Sequence, residues 1–396
     1  MVGGGSNYLS CTKSRSFTSF RMTGLKRSPR PRTDLFCDTL LVPKSSATSN
    51  STVLFAQAPC RADLAGGTYD IWPLYLFHPG AVTVNMALSI LTSCRVTPQA
   101  GREISLISHD TGRSERFASL DELMRAKKYQ HALAAYLIRF FQPKGGFTLE
   151  THSESPAGAG ISGSSALMIA TTAVLARFTG QQIDLEQIRV IAQNVEAQLI
   201  KVPTGCQDYY PAMYGGVNAI HLTPAGIECE PIPVSPEEMT RRFVLFYTGA
   251  PRQSGINNWE VFKQHINGDK KVVRAFEEIS QVAQQMRRAL LSAAWDDVER
   301  LLREEWKLRR SNAPGITTPV IDSLIAVARK HGGRAAKVCG AGGGGCVIVL
   351  VEEGSRDRVQ RALRQHGGQP LDFHVAREGL RFLPAAPHTF RASTKA

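Results

Sequence analysis

The sequence predicts a mixed α and β protein built from two domains. Segments with helical and with strand patterns alternate in both halves of the chain, which is typical of this class. A chain of 396 residues is too long for one small core and commonly forms two domains. The stretch 224–238 is a plausible boundary because it contains four prolines.

Hydrophobic periodicity predicts the elements of the first half. Short runs of alternating or concentrated apolar residues indicate strands, and apolar residues three to four positions apart indicate helices. The predicted strands are Val53–Ala58, Gly80–Leu91, Glu103–His109, Phe147–Thr151 and Val217–Leu222. The predicted helices are Leu120–Phe141, Gly163–Phe178, Asp184–Ile200 and 208–214. Ser119 and Asp184 precede two of these helices and have side chains suited to an N-cap.

The same patterns predict the elements of the second half. The predicted strands are Arg242–Tyr247, Cys346–Val351 and Leu371–Val375, the last at a sheet edge, and the segment Ala336–Val338 leads into the glycines 340–345. The predicted helices are 258–291, 294–311, Thr318–His331 and Ser355–His366. Two glycines, Gly332 and Gly333, end the third of these helices. We therefore expect domains over 51–235 and 236–385, followed by a tail over 386–396.

Residues 1–50 form a basic segment of different composition. They contain eight Lys and Arg against Asp34 and Asp38, a net charge of +6 out of +13 for the chain, and they lack hydrophobic periodicity. Disorder, or translation that starts further along the chain, is the favoured interpretation. A transit peptide is the alternative. We do not infer nucleic-acid binding from this segment, and the remaining +7 suits a protein that handles small anionic molecules.

Composition excludes several other classes. No uninterrupted apolar stretch approaches 18 residues, so no membrane span is predicted. The eight cysteines contain no C-x-x-C pair, and there is no signal-peptide pattern. Reduced thiols in a cytoplasmic protein are the favoured interpretation over disulfides or a zinc site.

Residues 156–166 carry the first functional signal. They read Pro-Ala-Gly-Ala-Gly-Ile-Ser-Gly-Ser-Ser-Ala and open into the apolar helix that begins near Gly163. Glycines allow a phosphate to approach the backbone, and the free amides of a helix N-terminus attract anions. A small-residue turn before a packed helix is the alternative for such a loop taken alone.

Two segments that are distant in the chain favour the phosphate-binding interpretation of this loop. Residues 58–70 read A-P-C-R-A-D-L-A-G-G-T-Y-D, and residues 337–346 read K-V-C-G-A-G-G-G-G-C. Together with 156–166, and in this order, they resemble the three signature motifs of the GHMP kinases, over about residues 53–385. The loop departs from the usual Gly-Leu-Gly-Ser-Ser of the family, since it has Ser162 and then Gly163. Which serine contacts the metal is therefore open.

Further segments resemble the branch of the family that acts on heptose 7-phosphate. These are Phe246–Gly249 with Arg252 and Ser254, Gly205–Asp208 with Tyr214–Asn218, and Pro314–Thr317 with Pro319. The resemblance implies an α+β, two-domain GHMP kinase fold. Its N-terminal domain would be ribosomal protein S5 domain 2-like and its C-terminal domain ferredoxin-like, with the active site in the cleft between them.

The resemblance also implies roles for individual residues. Asp208 is expected to be the catalytic base, and Arg61 to stabilise the nucleophile and the transferred phosphoryl group. Glu196 and Ser164 are expected to bind Mg²⁺. The ATP phosphates would contact Gly158, Ala159, Gly160, Ser162, Gly163, Ser164 and Ser165. The sugar would contact Asp70, Gly67, Tyr247, Arg252, Gly342 and Gly343.

Without the resemblance, each of these residues has a simpler interpretation. Glu196 is then an exposed helix charge, Arg61 a surface charge, and Asp208 the cap of helix 208–214. The glycines 340–345 would form a tight turn before a strand.

The function that follows from the resemblance is an ATP- and Mg²⁺-dependent sugar kinase, acting as a monomer or homodimer without nucleic acid or membrane. The expected acceptor is D-glycero-D-manno-heptose 7-phosphate, phosphorylated at its anomeric hydroxyl to the 1,7-bisphosphate. Fucokinase-like, galactokinase-like or mevalonate kinase-like activity is the alternative. A non-catalytic sensor of ATP and sugar is a further one.

Overall fold

The computed structural model describes residues 52–68, 70–252 and 256–384. The predicted extension 1–50 and tail 386–396 lie outside these ranges, as do Tyr69 and Ser254 of the motifs. The described residues confirm the mixed α and β class.

The described chain forms twelve strands. They are β1 Leu54–Ala65, β2 Val82–Gln99, β3 Ile104–Ser108, β4 Arg113–Phe117, β5 Gly146–Ser153, β6 Val217–Thr223, β7 Gly226–Pro231, β8 Phe243–Tyr247, β9 Gly333–Val338, β10 Cys346–Val351, β11 Gln369–Leu371 and β12 Arg381–Leu383. A short 3₁₀ helix, Leu74–Phe77, lies between β1 and β2.

Eight strands form the first sheet. Its order is β12-β1-β2-β5-β3-β4, with β6 paired to β2 and β7 to β6. The pairing of β3 with β5 is parallel, and the other pairings are antiparallel. The 18 residues of β2 are long enough to pair with β6 through their first part and with β5 through their last part. This long strand therefore places the segments before and after the predicted phosphate loop on one sheet.

Four strands form the second sheet, in the order β11-β8-β10-β9, all antiparallel. Strand β10 reads Cys-Val-Ile-Val-Leu-Val and is buried throughout, as expected of a central strand rich in β-branched residues. The predicted edge strand Leu371–Val375 is an edge strand at Gln369–Leu371. Its bounds shift because pairing with β8 ends at Leu371.

Eleven α-helices complete the described chain. They are α1 Leu120–Arg125, α2 Ala132–Phe141, α3 Gly163–Phe178, α4 Leu185–Ile200, α5 Tyr209–Tyr214, α6 Pro236–Arg242, α7 Ile256–Ile266, α8 Lys270–Leu291, α9 Trp295–Ser311, α10 Pro319–Lys330 and α11 Arg356–Gln365. Both predicted caps are confirmed. Ser119 accepts from the Glu122 amide at 3.3 Å, and Asp184 accepts from the Gln187 amide at 2.7 Å.

Two predicted helices are each broken into two. The prediction 258–291 becomes α7 and α8 because Gly268 adopts a positive φ of +77° and Asp269 caps the next helix. The prediction Leu120–Phe141 becomes α1 and α2 because Ala126 is extended. The Glu115 side chain then accepts from the amides of Gln130 and His131, at the start of α2.

Four strands were not predicted. Strand β4 is charged and mostly exposed, β7 lies at a sheet edge, β9 reads Gly-Arg-Ala-Ala-Lys-Val with a single β-branched residue, and β12 has three residues. Local sequence gives little signal for such strands, because their pairing partners supply the hydrogen bonds that define them. For β12 that partner is β1, at the opposite end of the described chain.

The proline-rich stretch 224–238 contains β7 and the start of α6. Strand β7 belongs to the first sheet, and β8, which follows α6, belongs to the second. The domain bounds themselves stay a prediction. In the part of the chain that the structure describes, no helix combines the length and the apolar content needed to cross a bilayer.

Candidate active site

A cavity of about 480 Å³ brings together seven of the sixteen predicted site residues. Its walls come from β1 and the turn after it, from α3, α4 and the start of α5, from the segment after β8, and from α9. The predicted residues that line it are Arg61, Asp70, Ser164, Ser165, Glu196, Asp208 and Arg252. These residues are spread along the chain, so only the tertiary fold makes them one site.

Arg61 and Asp208 form an ion pair in the wall of this cavity. The Arg61 Nη2–Asp208 Oδ1 distance is 2.6 Å, and Arg61 is 2% exposed against 23% for Asp208. Arg61 Nη1 donates to the Gly160 carbonyl at 2.9 Å, which ties the pair to the predicted phosphate loop. Asp208 precedes α5 but its side chain caps no amide there, so the simple capping interpretation is wrong. The surface-charge interpretation of Arg61 is also wrong.

Glu196 lies on α4, where it faces the start of α3. Ser164 Oγ donates to Glu196 Oε1 at 3.1 Å, Ser165 Oγ donates to Oε2 at 3.2 Å, and the Tyr209 hydroxyl also donates to Oε2. The side chain is buried, so it is not an exposed helix charge. Burial raises the pKa of Glu196, the bond from Tyr209 opposes that rise, and the charge of Asp208 adds to it.

The two serines of α3 differ in exposure. Ser164 is exposed and Ser165 is buried, although both bond Glu196. A carboxylate beside an exposed hydroxyl is a donor set that suits Mg²⁺, which takes few protein ligands when phosphates and waters supply the others. No group of three or more His, Cys, Asp or Glu side chains in the described part of the chain is arranged to hold a metal by itself.

Asp70 lies at another wall of the cavity. Its Oδ2 accepts from the Gln207 amide at 2.9 Å, and it has no ion pair with a cation among the described residues. Burial raises the pKa of Asp70 to about 6, against the effect of the Gln207 bond and with a contribution from Asp208. A Cβ at Gly205 would overlap the Asp70 carboxylate, so glycine is required there for the carboxylate to approach.

Arg252 follows β8 and lies against both glycine loops. A Cβ at Gly160 would lie 3.2 Å from Arg252 Cδ, and one at Gly340 would overlap its guanidinium. No carboxylate of the described residues lies within ion-pair distance of Arg252. Burial lowers the pKa of Arg252, and the neighbouring charge of Arg61 lowers it further. Among the described residues of the cavity, Arg252 is thus a cation without a matching carboxylate.

The predicted phosphate loop packs against the glycine loop 340–345. The Cys346 amide donates to the Ala159 carbonyl at 2.6 Å, and a Cβ at Gly345 would lie 2.6 Å from the same oxygen. Gly158 approaches Pro251 and the Arg252 amide, which donates to the Gly158 carbonyl at 3.1 Å. The tight-turn interpretation of the glycines is therefore correct, and it does not exclude phosphate binding beside it.

The first turn of α3 begins without a side-chain cap. Ser162 adopts a left-handed conformation and its hydroxyl donates to the Ile161 carbonyl instead. A Cβ added at Gly163 would lie 3.0 Å from Ser155 Cβ, so Ser155 limits the space at this position. An uncapped helix start is expected where a bound anion accepts hydrogen bonds from the free backbone amides.

Four predicted sugar contacts do not line the cavity. These are Gly67, Tyr247, Gly342 and Gly343. Tyr247 is buried in β8 between its partners Cys346 and Gln369, which keeps it from the cavity. Gly342 packs against Ile316, and the Gly343 amide donates to the Ile316 carbonyl at 2.9 Å. The residues of this loop that do line the cavity are Gly340 and Ala341.

The structure adds residues that the sequence patterns did not predict. Tyr209, next to Asp208 in the chain, bonds Glu196 and so links the predicted base to the predicted metal ligand. Thr68, Trp259 and Arg309 line the cavity. Tyr209 follows a motif residue directly and was within reach of sequence reasoning, whereas nothing in the local sequence distinguishes Arg309 from the other arginines of α9.

Comparison with known proteins matches two family models. The model for the N-terminal domain of GHMP kinases matches residues 126–216, and that for the C-terminal domain of GHMP kinases matches residues 286–369. The first range contains Ser164, Glu196 and Asp208. The matches confirm the predicted GHMP kinase fold with its N- and C-terminal domains.

Individual proteins are similar over most of the chain. The D-glycero-alpha-D-manno-heptose 7-phosphate kinase of Campylobacter jejuni is 26% identical over 332 residues, which cover 82% of this chain and 97% of that protein. The mevalonate kinase of Thermococcus gammatolerans is 28% identical over 249 residues, 61% of this chain and 70% of that one. The crystal structure of a D-glycero-D-manno-heptose 1-phosphate kinase from Bacteroides thetaiotaomicron shares the fold, with a TM-score of 0.68, 21% identity and coverage of 83% and 98%.

Proposed function

Because the chain belongs to the GHMP kinases, ATP-dependent phosphotransferases that act on an alcohol group, we propose that its acceptor is D-glycero-D-manno-heptose 7-phosphate and its product the 1,7-bisphosphate. The similarity to the Campylobacter heptose phosphate kinase supports this acceptor, because it extends over nearly all of that protein. The proposed setting is the cytoplasm, where ATP is available.

The observation that carries the proposal is the Arg61–Asp208 pair beside Ser164 and Glu196. Phosphoryl transfer needs a phosphate cradle, a means to neutralise charge, and a group that takes the proton of the attacking hydroxyl. One cavity contains a candidate for each of these roles.

In the proposed reaction, Asp208 accepts the proton of the anomeric hydroxyl. The sugar oxygen then forms a bond to the γ-phosphorus of ATP, and the bond from that phosphorus to the β–γ bridging oxygen breaks, which releases ADP. Both hydrogen bonds from Arg61 go to Asp208 Oδ1, so Oδ2 lies outside the ion pair and is the proposed proton acceptor.

Two arginines supply positive charge where negative charge develops. Arg61 is held by Asp208 and by the Gly160 carbonyl. Arg252 has no carboxylate partner among the described residues and lies beside Arg61, so it is the cation best placed for a phosphate. Its position favours the phosphoryl group in transfer over the distal phosphate of the acceptor.

Glu196 and Ser164 are the proposed ligands of magnesium, and magnesium bound with ATP neutralises charge on the phosphates. The uncapped start of α3 and the loop 158–165 are proposed to hold the β- and γ-phosphates through backbone amides. Asp70 is proposed to accept hydrogen bonds from sugar hydroxyls.

An ADP-release assay tests the proposal. The panel consists of heptose 7-phosphate, the unphosphorylated heptose, mannose, fucose, galactose, mevalonate and homoserine, each with ATP and Mg²⁺. Turnover confined to heptose 7-phosphate supports the acceptor. Turnover with an unphosphorylated sugar or with mevalonate would show that the acceptor is a different molecule and that the reaction type is correct. ATP binding without turnover of any compound in the panel would favour a sensor. The matched control is Asp208→Asn, which should bind ATP and release ADP at least about a hundredfold more slowly than wild type.

A further inference from the structure

The turn that carries Asp70 begins with an unusual backbone conformation. Thr68 has a φ of +80°. For a β-branched side chain this left-handed conformation is strained, because Cβ crowds the backbone. Strained residues persist only where the surrounding structure fixes them, and they concentrate at functional sites.

A turn hydrogen bond connects Thr68 to the residue after Asp70. The Ile71 amide donates to the Thr68 carbonyl at 3.3 Å, so the turn Thr68–Ile71 encloses Asp70. The backbone of Thr68 therefore influences the direction in which the Asp70 carboxylate points. Both Thr68 and Asp70 line the cavity.

Arg309 at the end of α9 contacts this turn. Its Nη1 donates to Thr68 Oγ1 at 3.2 Å. Gly67 leaves room for this approach, since a Cβ there would lie 2.7 Å from Arg309 Nη2. The contact joins the second half of the chain to the turn beside the predicted acceptor site.

Arg309 is itself held by a buried ion cluster. Its Nε donates to Glu305 Oε1 at 2.9 Å, and its Nη2 lies 3.6 Å from Asp63 Oδ2. Lys337 Nζ lies 2.9 Å from Asp63 Oδ2 and 3.5 Å from Glu305 Oε1. All four side chains are buried.

The charges of this cluster cancel. Two carboxylates, Asp63 and Glu305, face two cations, Arg309 and Lys337. Burial alone would raise the pKa of Asp63, but Lys337 and Arg309 hold it below its ordinary value. Arg309 thus differs from Arg252, because its charge is matched and it has no excess charge for a phosphate.

We propose that Arg309 is a positioning residue that holds the turn Thr68–Ile71 in its strained conformation and so directs Asp70 toward the acceptor. This inference rests on the proposed function, since it takes Asp70 as the acceptor's partner. The buried cluster of Asp63, Glu305 and Lys337 holds the Arg309 side chain in place. The Arg309 guanidinium then donates a hydrogen bond to the hydroxyl of Thr68.

The first test compares Arg309→Lys with Arg310→Lys, a neighbour on α9 whose contact with Asp322 is exposed. Lysine keeps the charge but cannot reproduce both the Glu305 and Thr68 contacts. We expect Arg309→Lys to raise the KM for the acceptor by about tenfold to a hundredfold, with the KM for ATP unchanged, because a misdirected side chain impairs only the substrate it binds. Arg310→Lys should change neither.

The second test compares Thr68→Gly with Thr68→Ala. Both remove the hydroxyl that Arg309 contacts, but only glycine adopts the positive φ without strain. We expect the acceptor KM of Thr68→Gly to stay closer to wild type than that of Thr68→Ala. If the Thr68 hydroxyl acted only structurally or by touching the acceptor, the two variants would not differ in acceptor KM in this order.

Hydrogen exchange separates failure of this inference from failure of the proposed function. We expect the Ile71 amide to exchange faster in Arg309→Lys than in Arg310→Lys, whether or not any acceptor is turned over. Equal exchange in the two variants overturns the positioning role, even if the acceptor KM rises, because Arg309 would then act by touching the acceptor. If the wild-type enzyme does not turn over the proposed acceptor but the Ile71 amide exchanges faster in Arg309→Lys, the proposed acceptor is wrong. The role of Arg309 in holding the turn is then still supported.

Discussion

The Arg61 guanidinium donates two hydrogen bonds to one carboxylate oxygen of Asp208, from Nε at 2.8 Å and from Nη2 at 2.6 Å. Its third contact, from Nη1, goes to the Gly160 carbonyl of the glycine and serine loop. One arginine thus fixes the predicted base relative to the predicted phosphate site. Proton transfer and phosphoryl transfer need this relative position, because the reacting atoms must be held close together.

Replacing Asp208 by Asn tests the role of this carboxylate. The amide cannot take the acceptor's proton, so we expect kcat to fall by about 10²–10⁴-fold, the usual contribution of a general base. ATP binding, measured by calorimetry, should persist. Asp322→Asn, at an exposed ion pair with Arg310, is the control and should leave kcat unchanged. Wild-type turnover in Asp208→Asn would remove this residue from the mechanism.

Replacing Arg252 by Gln tests the unmatched cation. We expect kcat with heptose 7-phosphate to fall by about 10²–10³-fold and the KM for it to stay unchanged, since loss of one group that stabilises transition-state charge has this order of effect. Steady-state kinetics with heptose 7-phosphate measure the two constants separately. A rise in its KM with kcat unchanged would instead assign Arg252 to the distal phosphate of the acceptor. Arg241, which is exposed and is not among the residues that line the cavity, provides the control Arg241→Gln.

The pKa of Asp70, raised to about 6 by burial, predicts a pH dependence of acceptor binding. The carboxylate is charged above pH 6 and takes up a proton as the pH falls through this value. At pH 5 only about a tenth of it is charged, so the acceptor KM at saturating ATP should rise about tenfold between pH 7 and pH 5. In Asp70→Asn the KM should be high and independent of pH over this range. A wild-type KM that does not change with pH would contradict the role.

The two serines of α3 provide a matched pair for the metal site. Ser164 is exposed and Ser165 is buried, and each donates to a different oxygen of Glu196. We expect Ser164→Ala to raise the Mg²⁺ concentration needed for half-maximal rate. Ser165→Ala should leave that concentration unchanged and lower the free energy of unfolding by about 1 kcal/mol, the usual net value of one hydrogen bond. The reverse order would identify Ser165 as the metal ligand.

The buried histidine pair predicts a pH dependence of stability. His78 Nε2 and His265 Nε2 lie 2.8 Å apart, between the 3₁₀ helix and α7. Burial lowers the pKa of both side chains, and the neighbouring His265 lowers that of His78 further, while Glu277 opposes this. In the folded protein both side chains therefore bind protons less readily than in the unfolded chain. As the pH falls through about 6.5 the unfolded chain takes up more protons than the folded protein does, so stability falls as the pH falls.

Thermal unfolding at pH 7.5 and pH 5.5 measures this effect. Each unit by which a pKa is displaced corresponds to about 1.4 kcal/mol at low pH. We expect the loss of stability between these pH values to be smaller in His265→Phe, whose ring can still pack on Phe276, than in wild type. An equal loss in both proteins would exclude the pair as its source.

Local sequence predicted the parts of the fold that local forces decide. The runs that became β10 and α3, and the caps Ser119 and Asp184, follow from periodicity and from side chains that bond nearby amides. The break at Gly268 carried a local signal that the prediction passed over. Strand β12 carried almost none, because the hydrogen bonds that define it come from a distant strand.

For the candidate site too, the sequence predicted some features and the tertiary structure decided the others. Glycines and serines at 156–166 and 340–345, with Arg61, Asp70 and Asp208, were identifiable from motif order along the chain. Their geometry was not, because it depends on contacts between segments far apart in sequence, such as Cys346 with Ala159. The sequence alone determined which chemistry is available and which family it resembles. The tertiary structure decided that Arg252 has no carboxylate partner among the described residues, that Arg309 is neutralised and contacts Thr68, and that Tyr247 does not line the cavity. Burial and charge balance exist only once the chain is folded.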